Sequence, residues 1–414
     1  MHLLLQLNSQ YCRPLYAVFF VTLATATGLA PLVWTYGTGN YSWTVAVSHD
    51  GGYAIAGSDD MHTYFFDARS SEGRPIWSHA ASAYVRHVAV SENGARAVAS
   101  DANGNVFFFR SDLSGDPVWT YRANSTINAL AMSNDGGYVV AGDRVGMVYL
   151  LVTDGPYLRV HEHVIPTGVL SLSLSAPGAL AATSSSGGLY FFPELASEYG
   201  YAWVFQIYTS FPQVAISDDA SYIVVGGSDG YVYMLDGSGQ VVDQDRIGGS
   251  VSALSLSSTS GRLVAGSTTG NVSLYEIGNG LKQLSSLRRL RPITSTAISR
   301  KGDRISISDL DGVISMFGDS LTTPLWSFEA GAIVHSISMA DNGLVLAASS
   351  DNGNIYLFSE QVQERTSGAP TGILIAPAIV AGLLFLYLFW RRRMKNGTGK
   401  PYDRRTSSPS RESP

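Results

Sequence analysis

The chain has 414 residues, 45% of them hydrophobic, only 14% charged and 43 of them glycine. That length supplies a sizeable core, and that balance of apolar and charged residues excludes a disordered protein. The net charge of -6 hides a contrast: the segment after Trp390 carries +6 and residues 1–33 carry +1, which leaves -13 on residues 34–390. An acidic body lacks the basic stripe that phosphate contacts need, so no nucleic-acid partner is expected.

Residues 1–33 read as a signal peptide or an N-terminal membrane anchor. An apolar run over 15–33 follows the lone Arg13, and Ala24-Thr25-Ala26 has the small-residue pattern of a cleaved leader. Cleavage gives a type I single-pass protein, and retention gives two spans; in both cases the body lies outside the cytoplasm. Cys12 is the single cysteine, so no internal disulfide forms. A body outside the cytoplasm without disulfides fits an archaeal or bacterial surface protein better than a eukaryotic one.

Residues 34–358 repeat one pattern eight times. A serine sets the phase at Ser48, Ser91, Ser133, Ser175, Ser217, Ser257 and Ser299, with Ala340 in its place in the last repeat. The spacing of 40 to 43 residues is that of a propeller blade. Before the serine, apolar and small or polar residues alternate, as in Val45-Ala46-Val47. An Asp-Gly or Asn-Gly turn then leads into an Ala/Gly-rich strand such as Tyr53-Ala54-Ile55-Ala56-Gly57. A second turn opens an aromatic strand such as Val106-Phe107-Phe108-Phe109. An outer strand, clearest at Trp34, Trp77, Trp119, Trp203 and Trp326, supplies the fourth. The outer strands ahead of repeats four, six and seven lack the tryptophan, so irregular blades are expected there. The fold class is all-β: an eight-bladed propeller of four-stranded antiparallel blades, with an apolar segment at each end of the chain.

The strings VAVSHDGGYAIAGS and YFFD…PIWS resemble the repeats of WD40-like and PQQ-like (quinoprotein-type) propellers in their membrane-attached variants. The Trp-Asp dipeptide of WD40 repeats is absent, and third strands end as Phe66-Asp67 or Leu357-Phe358. The resemblance implies that the N-terminal strand completes the last blade. It leaves function open, because propellers host many activities.

Few residues stand out as sites. Asn40, Asn124 and Asn271 begin N-glycosylation sequons, compatible with a body outside the cytoplasm. His161-Glu162-His163 offers two imidazoles where zinc wants three or four ligands, so it reads as an outer strand. The stretch 281–291 is basic on an acidic body, and Lys282, Arg288, Arg289 and Arg291 form a candidate docking strip for an acidic partner or lipid headgroups. Asp309-Leu310-Asp311-Gly312 has carboxylates two apart, as calcium loops do, but occupies an ordinary hairpin slot. A short linker, 359–368, leads to the uncharged run 369–390, long enough as a helix to cross a bilayer. Arg391, Arg392 and Arg393 follow as a stop-transfer signal and place the basic tail 391–414 in the cytoplasm.

With no catalytic constellation, the expected function is a non-enzymatic, membrane-anchored scaffold or accessory subunit with a protein partner. No cofactor, metal or small-molecule substrate is expected. The alternative is a PQQ-like enzyme, or a cofactor or metal binder, working in the central tunnel.

Overall fold

The computed structural model describes residues 28–361 apart from 154–157, 177, 195–199, 208, 209, 211 and 258. The chain divides after Val362, and the second unit, Gln363–Pro414, lies outside the described residues. The expected span 369–390, Arg391, Arg392, Arg393 and residues 1–27 therefore lie outside them too. Among the described residues no helix is long and apolar enough to cross a membrane.

Eight antiparallel sheets form the blades. Blade 1 comprises Ser42–Val47, Tyr53–Ser58, His62–Asp67 and Pro75–Ala80, from the innermost strand outward. The same plan starts again at Val85, Ile127, Val169, Gln213, Val251, Ile293 and Val334 for blades 2 to 8. Blade 8 borrows its outer strand, Leu32–Gly37, from the start of the chain, with Leu32 opposite Phe358. Each innermost strand touches the next, and that of blade 8 touches that of blade 1. The ring is closed.

The register serine sits just past each innermost strand because of what its hydroxyl does there. Ser48, Ser133 and Ser217 are buried and donate to Asp50, Asp135 and Asp219 at 2.6, 2.6 and 2.7 Å. Each also accepts the N–H of the tyrosine opening the next strand, Tyr53, Tyr138 or Tyr222. The hairpin is thus pinned from inside, and the Ser133 hydroxyl holds the Asp135 carboxyl below the usual range. In blade 8 Ala340 has no hydroxyl, and Asn342 accepts the N–H of Leu344 as Asp135 accepts that of Gly137 in blade 3. Ser133→Ala is expected to cost about 1–2 kcal/mol, read from urea unfolding. An unchanged midpoint would mean that the serine is only a spacer.

The small residues have equally local reasons. On the innermost strands, hydroxyls stitch neighbouring blades: Ser338 accepts the N–H of Val47, Ser173 that of Ile216 and Ser295 that of Ile337. The glycine near the end of several second strands lies against the next blade's first residue. A Cβ on Gly57 would sit 2.6 Å from Val85, and one on Gly142 2.4 Å from Val169.

Outer tryptophans bolt blade to blade. Trp77 stacks on Phe65 of its own blade at 4.8 Å and meets Phe109 of blade 2 at 4.9 Å. Trp326 meets Phe358 of blade 8 at 5.0 Å, and Trp34 meets Phe66 of blade 1 at 4.9 Å. Blades 3, 5 and 6 have outer strands without tryptophan, Arg159–Val164, Val241–Arg246 and Leu281–Arg288, and each pairs along its third strand all the same. Backbone pairing needs no particular side chain, so the expected irregularity does not remove a strand.

One boundary differs from the sequence reading. The propeller's strands begin at Gly28 and not at Trp34. Gly28 and Leu29 pair in parallel with Trp326 and Ser327, which gives blade 7 a short fifth strand. Ala30 packs against the core around Trp326, and Val33 against the core around Trp34. Apolar residues suit a protein core and a lipid core equally, so hydropathy alone does not separate the two.

Candidate interaction face

The two faces of the ring differ. The lower face carries the turns between first and second strands. Main-chain bonds link successive turns, as Glu92 N–H to the Asn134 carbonyl and Asp341 N–H to that of His49. Arg300 lies 3.1 Å from Asp341 and 4.0 Å from Asp218, so blades 5, 7 and 8 share one guanidinium. His49 is 3.8 Å from Asp341. Leu32 and Ser359 lie on this face as well, with Ser359 N–H bonded to the Pro31 carbonyl and Glu360 N–H to that of Leu344. The chain enters and leaves the ring here.

The upper face carries the turns between second and third strands and the crossings between blades. Its mouth holds a stack drawn from three blades. Trp43 lies 4.0 Å from the His335 ring on blade 8, and the Arg86 guanidinium of blade 2 sits 4.3 Å from the Trp43 ring centre. Carboxylates hold both ends of the stack: His335 bonds to Asp351, and Arg86 lies 3.3 Å from Asp59. Beside Arg86, His87 is half-buried. Burial, then the Arg86 charge, pushes its pKa down to about 4. His87 is therefore neutral in the folded chain, while the unfolded chain takes up a proton near pH 6.5. The stability this supplies is complete above that pH and falls by about 3 kcal/mol as pH drops towards 4. His87→Gln is expected to flatten that loss in urea titrations between pH 7 and 4. A wild-type midpoint constant over this range would refute the assignment.

Around the stack, three apolar side chains face solvent: Tyr41, Met61 and Tyr84, each between 42 and 49% exposed. Tyr84 also touches the Arg86 guanidinium, 5.6 Å from its ring centre. Met61 carries the anomaly of this face. It has a φ of 68° in the turn between the second and third strands of blade 1. The same position in the other seven blades is Gly104, Gly146, Gly187, Gly230, Gly270, Gly312 and Gly353, all at positive φ. A Cβ on Gly104 would meet the Ser125 carbonyl at 2.5 Å, and one on Gly312 the Ala332 carbonyl at 2.0 Å. Only blade 1 accepts a side chain there, and it accepts a long apolar one in a left-handed backbone conformation that favours glycine.

The residues singled out in the sequence do not meet at this mouth. In the candidate strip, Lys282 pairs with Glu276, Arg291 with Asp311, and Arg289 bonds to Ser315. Lys282 lies opposite Glu276 and Arg288 opposite Asn271, so those two cations are on different faces of the sheet. The strip is split, not one basic surface. Asn40 and Asn124 are exposed, and the Asn271 amide donates to the Ile247 carbonyl at 2.8 Å. Glu162 accepts from Tyr121, and His163 packs on Phe192. Asp309 accepts the N–H groups of Asp311 and Val313, as a turn aspartate does. Among the described residues no three His, Cys, Asp or Glu side chains converge as a metal requires.

Reading along the chain misses the stack, because Trp43 and His335 lie at opposite ends of the propeller sequence. Reading down the repeats finds it: Trp43, Arg86 and His335 each stand five residues before the register position.

No protein-family model matches the chain, and no curated protein matches it in sequence. Solved structures share its shape. Sqt1 of Chaetomium thermophilum, crystallised bound to the N-terminus of ribosomal protein L10, superposes with a TM-score of 0.70 at 14% identity, over 80% of this chain and 100% of that one. The C-terminal WD40 domain of Sif2 gives 0.67 at 11% identity, over 80% and 98%. The computationally designed Ika8 gives 0.68 at 19% identity, over 80% and 100%. At these identities the fold is what is shared: a WD40-type propeller.

Proposed function

We propose that this chain is a non-enzymatic scaffold, anchored in a membrane with its propeller outside the cytoplasm, that docks a protein partner on the upper face of blades 1 and 2. The observation that carries the docking site is Met61. A bulky residue in a left-handed turn is strained by about 1–2 kcal/mol, and an unforced strain of this kind marks a functional position. Its neighbours Tyr41, Tyr84 and Arg86 are of the residue types that dominate protein-binding hot spots. The neighbour Sqt1, bound to a segment of another protein, supports a protein ligand. The anchor rests on the uncharged run 369–390 followed by Arg391, Arg392 and Arg393.

The test is purification of the full chain from its native membrane in gentle detergent, with mass spectrometry of what accompanies it. One stoichiometric protein is expected with the wild type and not with Tyr84→Ala. A chain that emerges alone, with a metal or a visible chromophore in stoichiometric amount, would overturn the reading and favour a cofactor binder.

A further inference from the structure

We infer, on the reading that a protein docks on the upper face, that the docked segment is apolar with one carboxylate in it, and that Arg144 takes that carboxylate.

Two positions before Met61 and its glycine counterparts, each blade sets one residue on the upper face. In blades 1, 2 and 3 these are Asp59, Ala102 and Arg144. Their N–H groups bond to the carbonyls of Tyr41, Tyr84 and Thr126 at 2.8, 2.8 and 2.9 Å. The Thr126 hydroxyl donates to the Ala102 carbonyl at 2.9 Å, so an unbroken line of bonds runs from Tyr84 through Ala102 and Thr126 to Arg144. The exposed apolar patch and Arg144 are therefore parts of one ledge. On the far side, a Cβ on Gly168 would meet the Arg144 carbonyl at 2.3 Å. A backbone held from both sides fixes where the guanidinium starts and lowers the cost of ordering it on a ligand.

The ledge carries two arginines in different states. Arg86 is engaged: Asp59 lies 3.3 Å away, and the Trp43 and Tyr84 rings contact it. Arg144 is exposed, and among the described residues no hydrogen bond, ion pair or ring contact engages its side chain. Its neighbour Asp143 is fully buried and already accepts the N–H groups of Val145 and Met147 and the Tyr149 hydroxyl. At the position of Arg144, blades 1 and 8 carry Asp59 and Asp351, which are answered by Arg86 and His335. Blades 4, 5 and 6 carry Ser185, Ser228 and Thr268 there. Arg144 is the one charge at this position left without an answer, and Val145 next to it is 60% exposed.

Charge sets the composition of the segment. With -13 on residues 34–390, the body repels an acidic tract at a distance. One carboxylate placed at Arg144 gains a close partner, whereas further ones meet only that repulsion. Tyr41, Met61 and Tyr84 offer apolar contact to the residues around it.

The experiment pans a phage-displayed library of random linear peptides on the immobilised full chain in detergent, and measures the selected peptides by fluorescence anisotropy. Peptides that combine aromatic or aliphatic residues with a single Asp or Glu are expected. Their affinity should fall about tenfold on Arg144→Glu and recover when the peptide's acid is exchanged for Lys. Peptides that depend on Tyr84 but lack such an acid, or that bind Arg144→Glu as they bind the wild type, would overturn the inference and leave the docking face standing. A library that yields no peptide sensitive to Tyr84→Ala or Met61→Gly would overturn both.

Discussion

Deleting residues 28–37 is expected to open the ring. Blade 8 would lose its outer strand, and blades 7 and 8 would each expose a row of unpaired backbone groups. The point variant Trp34→Ala probes the same joint more gently. Trp34 is 6% exposed and meets Phe66 of blade 1, so its truncation is expected to cost about 3–5 kcal/mol. For a domain of this size that lowers Tm by about 6 °C. Thermal unfolding measures it, and limited proteolysis should find the first cut of the deletion variant in blade 8. A deletion variant that melts like the wild type would show that seven covalently continuous blades suffice.

The second expectation has opposite signs in two assays. Met61→Gly relieves a left-handed methionine, so stability should stay level or rise by up to about 1 kcal/mol. The same change removes an exposed apolar side chain from the proposed docking face, and affinity for the protein partner should fall about tenfold. Tyr84→Ala, which also leaves Arg86 without one of its two aromatic contacts, should cost about 2 kcal/mol of binding. Calorimetry with the purified partner and urea unfolding of each variant give the two readings. If Met61→Gly destabilised the fold and left binding intact, the methionine would be a packing residue and the docking face would have to lie elsewhere.

The repeating core was legible because its causes are local. The serine hydroxyls act within five residues, the glycines fit against the blade beside them, and the aromatic strands of blades 1, 2 and 8 meet the outer tryptophan of the blade before. Closure by an N-terminal strand around Trp34–Tyr36 followed from the phase of the repeats and the family resemblance, and the strand proves longer, Leu32–Gly37. The interaction face was much less legible. Trp43, Arg86 and His335 meet only because the ring brings blade 8 back beside blades 1 and 2, a contact no short window of sequence contains. Met61 stands out only against the seven glycines that hold the same position in the other blades. Charge density along the basic strip does not say which side each cation faces, and pairing puts Lys282 and Arg288 on different sides.

The borrowed strand also imposes an order in time. Leu32 pairs with Phe358, so the first part of the propeller to be synthesised waits for nearly the last before its hydrogen bonds can form. A contact so distant along the chain is slow to make, and everything shorter than the full propeller has two raw edges and no way to cover them. A ribosome that stops early therefore releases a sticky fragment rather than a smaller working propeller. Completeness is checked by geometry: only a chain that reaches Phe358 can hide its own beginning.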